Sequence, residues 1–187
     1  MSLQTATIDG PAVLPGRGPD GAFAAATTLR TARAEEAAAI LALIETHLAE
    51  GHLLPRTLAE LTLRAPRIVV AVAGPRVVAC AELAPLSSGV AEVRSLVVHR
   101  DARHEGVGRQ LIDELVRRAR VQGFDTLSAF THSPGYFVRM GFSIVPHHWM
   151  REKIATDCQA CALFRKCGQA AVVLSLTESG RGGRPAR

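Results

Sequence analysis

The sequence predicts one α+β domain in which a mixed, mostly antiparallel sheet is flanked by helices. Three observations lead there. Residues 68–98 hold short β-branched runs separated by Gly74-Pro75-Arg76 and Ser87-Ser88-Gly89, the composition of turns between antiparallel neighbours. Residues 106–122 carry apolar side chains at helical spacing between two further strand-like runs. An Ala-rich helical stretch precedes all of them. At 187 residues and 48% hydrophobic content, the chain has the material for one core.

Taken in order, residues 1–26 are rich in Gly, Pro, Ala and Ser/Thr without a period, which predicts a mobile leader. The domain is expected over 27–177. Leu29 to Thr31 starts a strand. From Ala34 to Glu50, Ile40, Leu41, Leu43, Ile44 and Leu48 recur at helical spacing, with Thr31 or Arg33 near the start and Gly51 ending the helix. Pro55 suits the first turn of a shorter helix carrying Leu58, Leu61 and Leu63. Strands are expected at Ile68–Ala73, Val77–Leu83 and Val90–Val98, the last of them central. The helix over 106–122 has Val107, Leu111, Ile112, Leu115, Val116 and Ala119 on one face and Gly123 as its C-terminal cap. Thr126–Thr131 reads as a strand, Pro134–Met140 as a short helix, and 141–145 and 170–176 as strands. Residues 178–187 form a basic tail, predicted to be disordered.

Composition narrows the functions. The formal net charge is +5. The basic residues are dispersed or sit in the tail, which disfavours a nucleic-acid stripe and suits anionic small molecules. Twenty of the 22 basic residues are Arg and Asn is absent, as in GC-rich bacterial coding. No apolar run is long enough to span a bilayer, and the start has no secretory pattern, which points to the cytoplasm without a membrane partner.

The chemistry concentrates in Glu92 to Gly108. Strand Val90–Val98 runs into Arg103-x-x-Gly106-x-Gly108 at the start of a helix. Such a turn cradles anions, because the first helical N–H groups lack partners and glycine lets a phosphate approach the backbone. Arg103 and Arg109 add charge-assisted contacts. The stretch fits neither a P-loop nor a dinucleotide loop.

This pattern resembles the pyrophosphate loop of the GNAT superfamily of acetyl-CoA-dependent N-acetyltransferases, and the element order over about 28–177 is similar to that acyl-CoA N-acyltransferase fold. Further pieces are Tyr136-Phe137-Val138-Arg139-Met140-Gly141-Phe142, Gly51-His52-Leu53-Leu54-Pro55-Arg56, Val78-Ala79-Cys80-Ala81-Glu82-Leu83, Ala91-Glu92-Val93 and Leu96-Val97-Val98-His99. These resemble the short amino-acid N-acetyltransferases and the acetyltransferase domain of N-acetylglutamate synthase. The resemblance implies acetyl transfer from acetyl-CoA to the α-amine of glutamate, the first step of arginine synthesis.

It also implies site residues. Glu92, eleven residues before Arg103, is the candidate general base, with a plain ion pair to Arg94, its same-face neighbour, as the alternative. Backbone groups of Leu96, Val97 and Val98 pair with pantetheine. Arg103, His104, Glu105, Gly106, Val107, Gly108 and Arg109 hold the pyrophosphate. Arg56 and Arg94, then Lys166, are candidates for the acceptor's carboxylates. The chain departs from the family in having His104 and Glu105 in the loop, Arg100 after His99, and Phe137 where many members carry a Tyr general acid. Tyr136 is one residue early, which leaves the thiolate's proton to another donor, water among them.

Cys158-x-x-Cys161 with Cys167 and His147-His148 offers an incomplete zinc pattern, since the second pair is missing. Partly buried thiols and a redox-active pair are the other readings. Two further functions stay open: acetylation of a protein N-terminus or other small amine, and a non-catalytic acetyl-CoA sensor. The sequence leaves a homodimer open.

Overall fold

A computed structural model describes residues 12–13, 27–48 and 53–177. The expected tail, most of the leader, and Gly51 with His52 lie outside the described residues. An eight-stranded sheet runs in the order β1-β2-β3-β4-β5-β6-β8-β7. Its strands are β1 (Ala12–Val13), β2 (Thr28–Thr31), β3 (Ile68–Ala73), β4 (Arg76–Pro85), β5 (Val90–Val98), β6 (Thr126–Thr131), β7 (Ser143–Val145) and β8 (Ala170–Ser175). All neighbours are antiparallel except β5 and β6. Strand β1, inside the expected leader, pairs with β2, so the leader is not wholly without structure.

Helices cover both faces. On one side α1 (Ala37–Leu48) and α2 (Leu58–Arg64) bury Ile40, Leu43, Ile44 and Leu61 against Ile68, Val70, Cys80 and Val97. Helix α2 begins later than Pro55 suggests. Thr57 is its N-cap, accepting from the Glu60 N–H at 3.2 Å, and only Leu61 of the three expected leucines is buried. On the other side α3 (Val107–Val121) and α4 (Pro134–Val138) bury Leu111, Ile112, Leu115, Ala119 and Phe137. Gly123, at φ +80°, closes α3 as its spacing predicts. Leu115→Ala removes a fully buried side chain from this layer. It is expected to cost about 2–5 kcal/mol, read as a fall in denaturant midpoint at unchanged slope.

Two irregularities position the site. Strands β5 and β6 pair in parallel only from Val90/Thr126 to Val93/Ala129 and then part. On the other edge of β5, Cys80 stands opposite Val97 and Glu82 opposite Arg94, so Ser95 and Leu96 together oppose Ala81. This is a β-bulge, with Ser95 at φ +49°. The faces change parity across it. Ala91 and Val93 share the α3 face with Leu96 and Val98, whereas Glu92 and Arg94 share the α1/α2 face with Val97. Among the described residues no helix is long and apolar enough to cross a membrane.

Candidate active site

Where β5 and β6 part, a cleft of about 1100 Å³ opens. One wall is the rest of β5 and another is the start of α3. Beyond Val93 the edge of β5 facing β6 has no strand partner among the described residues, which leaves backbone groups for an extended ligand carrying amides. Leu96, Val97 and Val98 line this wall as expected.

At one end lies the loop from Arg103 to Arg109. His104 (φ +68°) and Gly106 (φ +80°) take left-handed conformations within it. Left-handed residues among right-handed ones turn successive N–H groups to one side, and the N-terminus of α3 adds its dipole. Gly108 permits a close approach. A Cβ built there would stand 2.6 Å from the Tyr136 hydroxyl and 3.5 Å from Val98 Cγ2. Arg103 ties the loop to the strand, its Nε donating to Val98 O at 3.2 Å. Arg103, His104, Gly106, Val107, Gly108 and Arg109 line the cleft. Glu105 does not; its side chain is exposed, so the acid in the loop does not oppose an anion there. Burial, then Asp113, push the Tyr136 phenol above its ordinary value, which keeps it a hydrogen-bond donor at neutral pH. Phe137 is packed in the core against Phe142, with ring centroids 5.3 Å apart, and has no polar group to offer.

The other end is ionic. Glu92 is 2% exposed. Its Oε2 accepts from Arg94 Nε at 2.6 Å and from Lys153 Nζ at 2.8 Å, and Oε1 lies 2.7 Å from the same lysine. The expected Glu92–Arg94 pair is therefore present, within a larger cluster. Asp157 bonds both cations, Arg94 through Nη2 and Lys153 at 2.9 Å. Burial raises the Asp157 carboxyl, but the Lys153 hydrogen bond and the charges of Lys153, Arg94 and Arg56 outweigh it and hold the group below its ordinary value. Arg56 enters from the segment before α2. Its Nε donates to Ser95 Oγ at 3.2 Å and its Nη1 pairs with Glu60 at 2.6 Å. Behind it, buried Glu82 faces Arg64 at 3.5 Å and Arg56 at 3.9 Å.

Glu92, Arg56 and Arg94 thus meet in one cleft. Lys166 does not join them; it is exposed on the turn Phe164–Lys166 and lines no part of the cleft. Lys153, the other lysine, takes that place. It comes from α5 (Arg151–Lys153), which continues as a π-helix through Ile154–Cys158, and its ammonium also lies 5.4 Å from the Phe130 ring centroid. Both lysines stand out in a chain that otherwise uses arginine, and the aspartate four residues after Lys153 was the one signal that separates it from Lys166.

The four cysteines are thiols. Among the described residues no group of three or more His, Cys, Asp or Glu side chains is placed to hold a metal ion. Cys80 is fully buried on β4, and burial, then Glu82, push its thiol up to about 12. Burial also raises Cys158, with Lys153 opposing. Treating native protein with an alkylating reagent at mildly alkaline pH is expected to modify Cys158, Cys161 and Cys167 and to spare Cys80 until the chain unfolds. Peptide mass mapping reads this directly, and early Cys80 modification would contradict its burial.

Comparison with known proteins agrees with this geometry. The family model described as acetyltransferase (GNAT) family matches residues 34–142. An uncharacterized N-acetyltransferase of Chlorobaculum tepidum is 30% identical over 153 residues, covering 82% of this chain and 99% of that protein. An amino-acid acetyltransferase of Ectopseudomonas mendocina is 29% identical over 127 residues, covering 67% of this chain but 27% of the relative, so the chain spans about a quarter of that protein's length. Among solved structures, N-acetylglutamate synthase from Neisseria gonorrhoeae, complexed with coenzyme A and N-acetyl-glutamate, superposes with a TM-score of 0.73 at 22% identity, covering 81% of this chain and 35% of that one. A Mycobacterium tuberculosis protein in complex with CoA gives 0.70 at 23% identity, covering 80% and 99%.

Proposed function

The chain belongs to the acetyltransferase (GNAT) family and is an acetyl-CoA-dependent acetyltransferase, and on that premise we propose that its acceptor is the α-amine of an amino acid, L-glutamate first. One observation carries the reading: Arg56, Arg94 and Lys153 converge beside Glu92 in the cleft that the loop and the free edge of β5 open onto. An amino acid presents an amine to be acetylated and a carboxylate to be held, and this end offers a carboxylate and cations side by side. The amino-acid acetyltransferase among the relatives supports the same choice. The product, N-acetyl-L-glutamate, places the reaction at the start of arginine biosynthesis in a bacterial cytoplasm.

Acetyl-CoA supplies the thioester; the chain supplies position and protons. The N–H groups of the Arg103–Arg109 loop and the α3 terminus hold the pyrophosphate. Backbone groups at Leu96–Val98 align the pantetheine as an added strand. Arg56 holds the acceptor by its α-carboxylate, and Arg94 with Lys153 faces the side-chain carboxylate of an acidic acceptor. Glu92 takes the ammonium proton, directly or through one water, so that the neutral amine attacks the carbonyl. For this, Glu92 gives up one of its two cationic partners to the acceptor's carboxylate, which frees an oxygen as the substrate seats. Water protonates the departing thiolate.

The test is to incubate the protein with acetyl-CoA and glutamate, glutamine, aspartate, other amino acids and an N-terminal peptide. Products are read by mass spectrometry, because a thiol reagent would also report Cys158, Cys161 and Cys167. N-acetylglutamate is the expected product. Acetyl-CoA binding with no acetylated amino acid would overturn the acceptor assignment and leave the family assignment intact.

A further inference from the structure

We propose that Asp157 sets which amino acids this site accepts, by holding the position on Arg94 and Lys153 that an acidic acceptor's carboxylate takes. The inference rests on the amino-acid reading above and adds the residue that discriminates between acidic and neutral acceptors.

The first ground is geometry. Asp157 bonds Arg94 Nη2 and sits 2.9 Å from Lys153 Nζ, so one carboxylate bridges both cations. Glu92 bonds the same two cations from below. The two acids differ in access. The Glu92 side chain is 3% exposed, whereas that of Asp157 is 36% exposed. Glu92 forms the floor of the site and Asp157 stands at its mouth. Rotating the Asp157 side chain into solvent breaks its two contacts without disturbing the floor.

The second ground is the backbone that carries it. Asp157 belongs to the π-helical turn Ile154–Cys158, which continues the short α5 that delivers Lys153. A π-turn is costlier than an α-turn and persists where it directs a side chain. Here it sets Asp157 and Lys153 on one side of the segment, both against β5.

The third ground is charge. Around the ionic end, Glu60, Glu82, Glu92 and Asp157 face Arg56, Arg64, Arg94 and Lys153. With Asp157 inward the set is neutral and matches a zwitterion with an uncharged side chain. With Asp157 outward one positive charge is left over, matching an acceptor that carries a second carboxylate. An acidic acceptor therefore competes with a tethered carboxylate for Arg94 and Lys153, and a neutral one does not. Asp157 lowers the affinity for glutamate more than for glutamine.

The experiment uses the full chain saturated with CoA and compares wild type with Asp157→Asn and Asp157→Ser, the second variant separating loss of charge from the gain of an amide. Glutarate, a dicarboxylate without an amine, is titrated by calorimetry, and KM and kcat are measured for glutamate and glutamine. Both variants are expected to bind glutarate about tenfold tighter and to raise kcat/KM for glutamate relative to glutamine by a similar factor. Glutarate affinity that is unchanged, weaker or undetectable in every protein overturns the proposal. So does an equal rise in KM for both amino acids, which would mean that Asp157 holds the acceptor's ammonium. Tighter glutarate binding without acetylation of any amino acid would remove the acceptor reading and keep the role of Asp157; glutamate turnover with glutarate indifferent to the substitution would do the reverse.

Discussion

Glu92→Gln is expected to lower kcat by roughly 10²–10⁴-fold while acetyl-CoA affinity stays within about twofold. The side chains are isosteric, and the amide keeps an oxygen for Arg94 or Lys153. What is lost is the capacity to accept a proton. The proposed acetyl-CoA contacts, the β5 edge and the Arg103–Arg109 loop, lie at the other end of the cleft from the Glu92 carboxylate. A competing account makes Glu92 only an anchor for Arg94 and Lys153, which it bonds at 2.6 and 2.8 Å. That account predicts a different split: KM for the acceptor rises as the two cations lose their anchor, and kcat holds. Steady-state kinetics with calorimetry of acetyl-CoA binding separates the two, and an unchanged kcat would remove Glu92 as the base.

Gly108→Ala is expected to weaken acetyl-CoA binding by roughly tenfold to a hundredfold, and Gly108→Ala combined with Tyr136→Phe to recover most of the loss. The added methyl would lie 2.6 Å from the Tyr136 hydroxyl, closer than atoms pack. The ring has little freedom to move away, because it is set edge-on against Phe137 with centroids 5.6 Å apart. The start of α3 must then shift, and its N–H groups lose their aim. Without the hydroxyl, the nearest ring carbon is 3.6 Å from the new methyl, an ordinary contact. Calorimetry on both variants decides the matter. A double variant that binds no better than the single one would show that the phenol oxygen is not the obstacle.

These two sites were legible in the sequence for a common reason. Glu92, the loop and Gly108 belong to one continuous strand-turn-helix, where spacing along the chain converts directly into position in space. Arg94 was within reach of the same reasoning, being on β5 two residues from Glu92, whereas Arg56, in the link to α2, was reached only through the family resemblance of residues 51–56. Lys153 and Asp157 were not. They arrive from the link between β7 and β8, where no period fixes a register, and Lys153 meets Glu92 across 61 residues of chain. For such a segment, composition names two lysines and cannot choose between them, which is why Lys166 stood in the place that Lys153 occupies. Strand order had the same limit. Local patterns marked the strands from β2 to β8, but not that β8 inserts between β6 and β7, since that pairing joins residues far apart in sequence. The bulge at Ser95 was missed although it left a trace, because Arg94 and Ser95 are two polar residues in a row and break the alternation that runs from Ala91 to Arg94.

That bulge divides one strand into two territories. A regular β5 would keep a single alternation from end to end, and the alternation that buries Ala91 and Val93 would carry Ser95 and Val97 inward with them. The extra residue shifts the phase. In the proposed mechanism, the side chains upstream of it on the α1/α2 face are the charges that meet the acceptor; downstream, the backbone edge aligns acetyl-CoA, and the side chains revert to core. The two halves can therefore diverge separately. On that mechanism, substitutions at Glu92 and Arg94 would retune which amine is chosen while the acetyl-CoA half stays as it is.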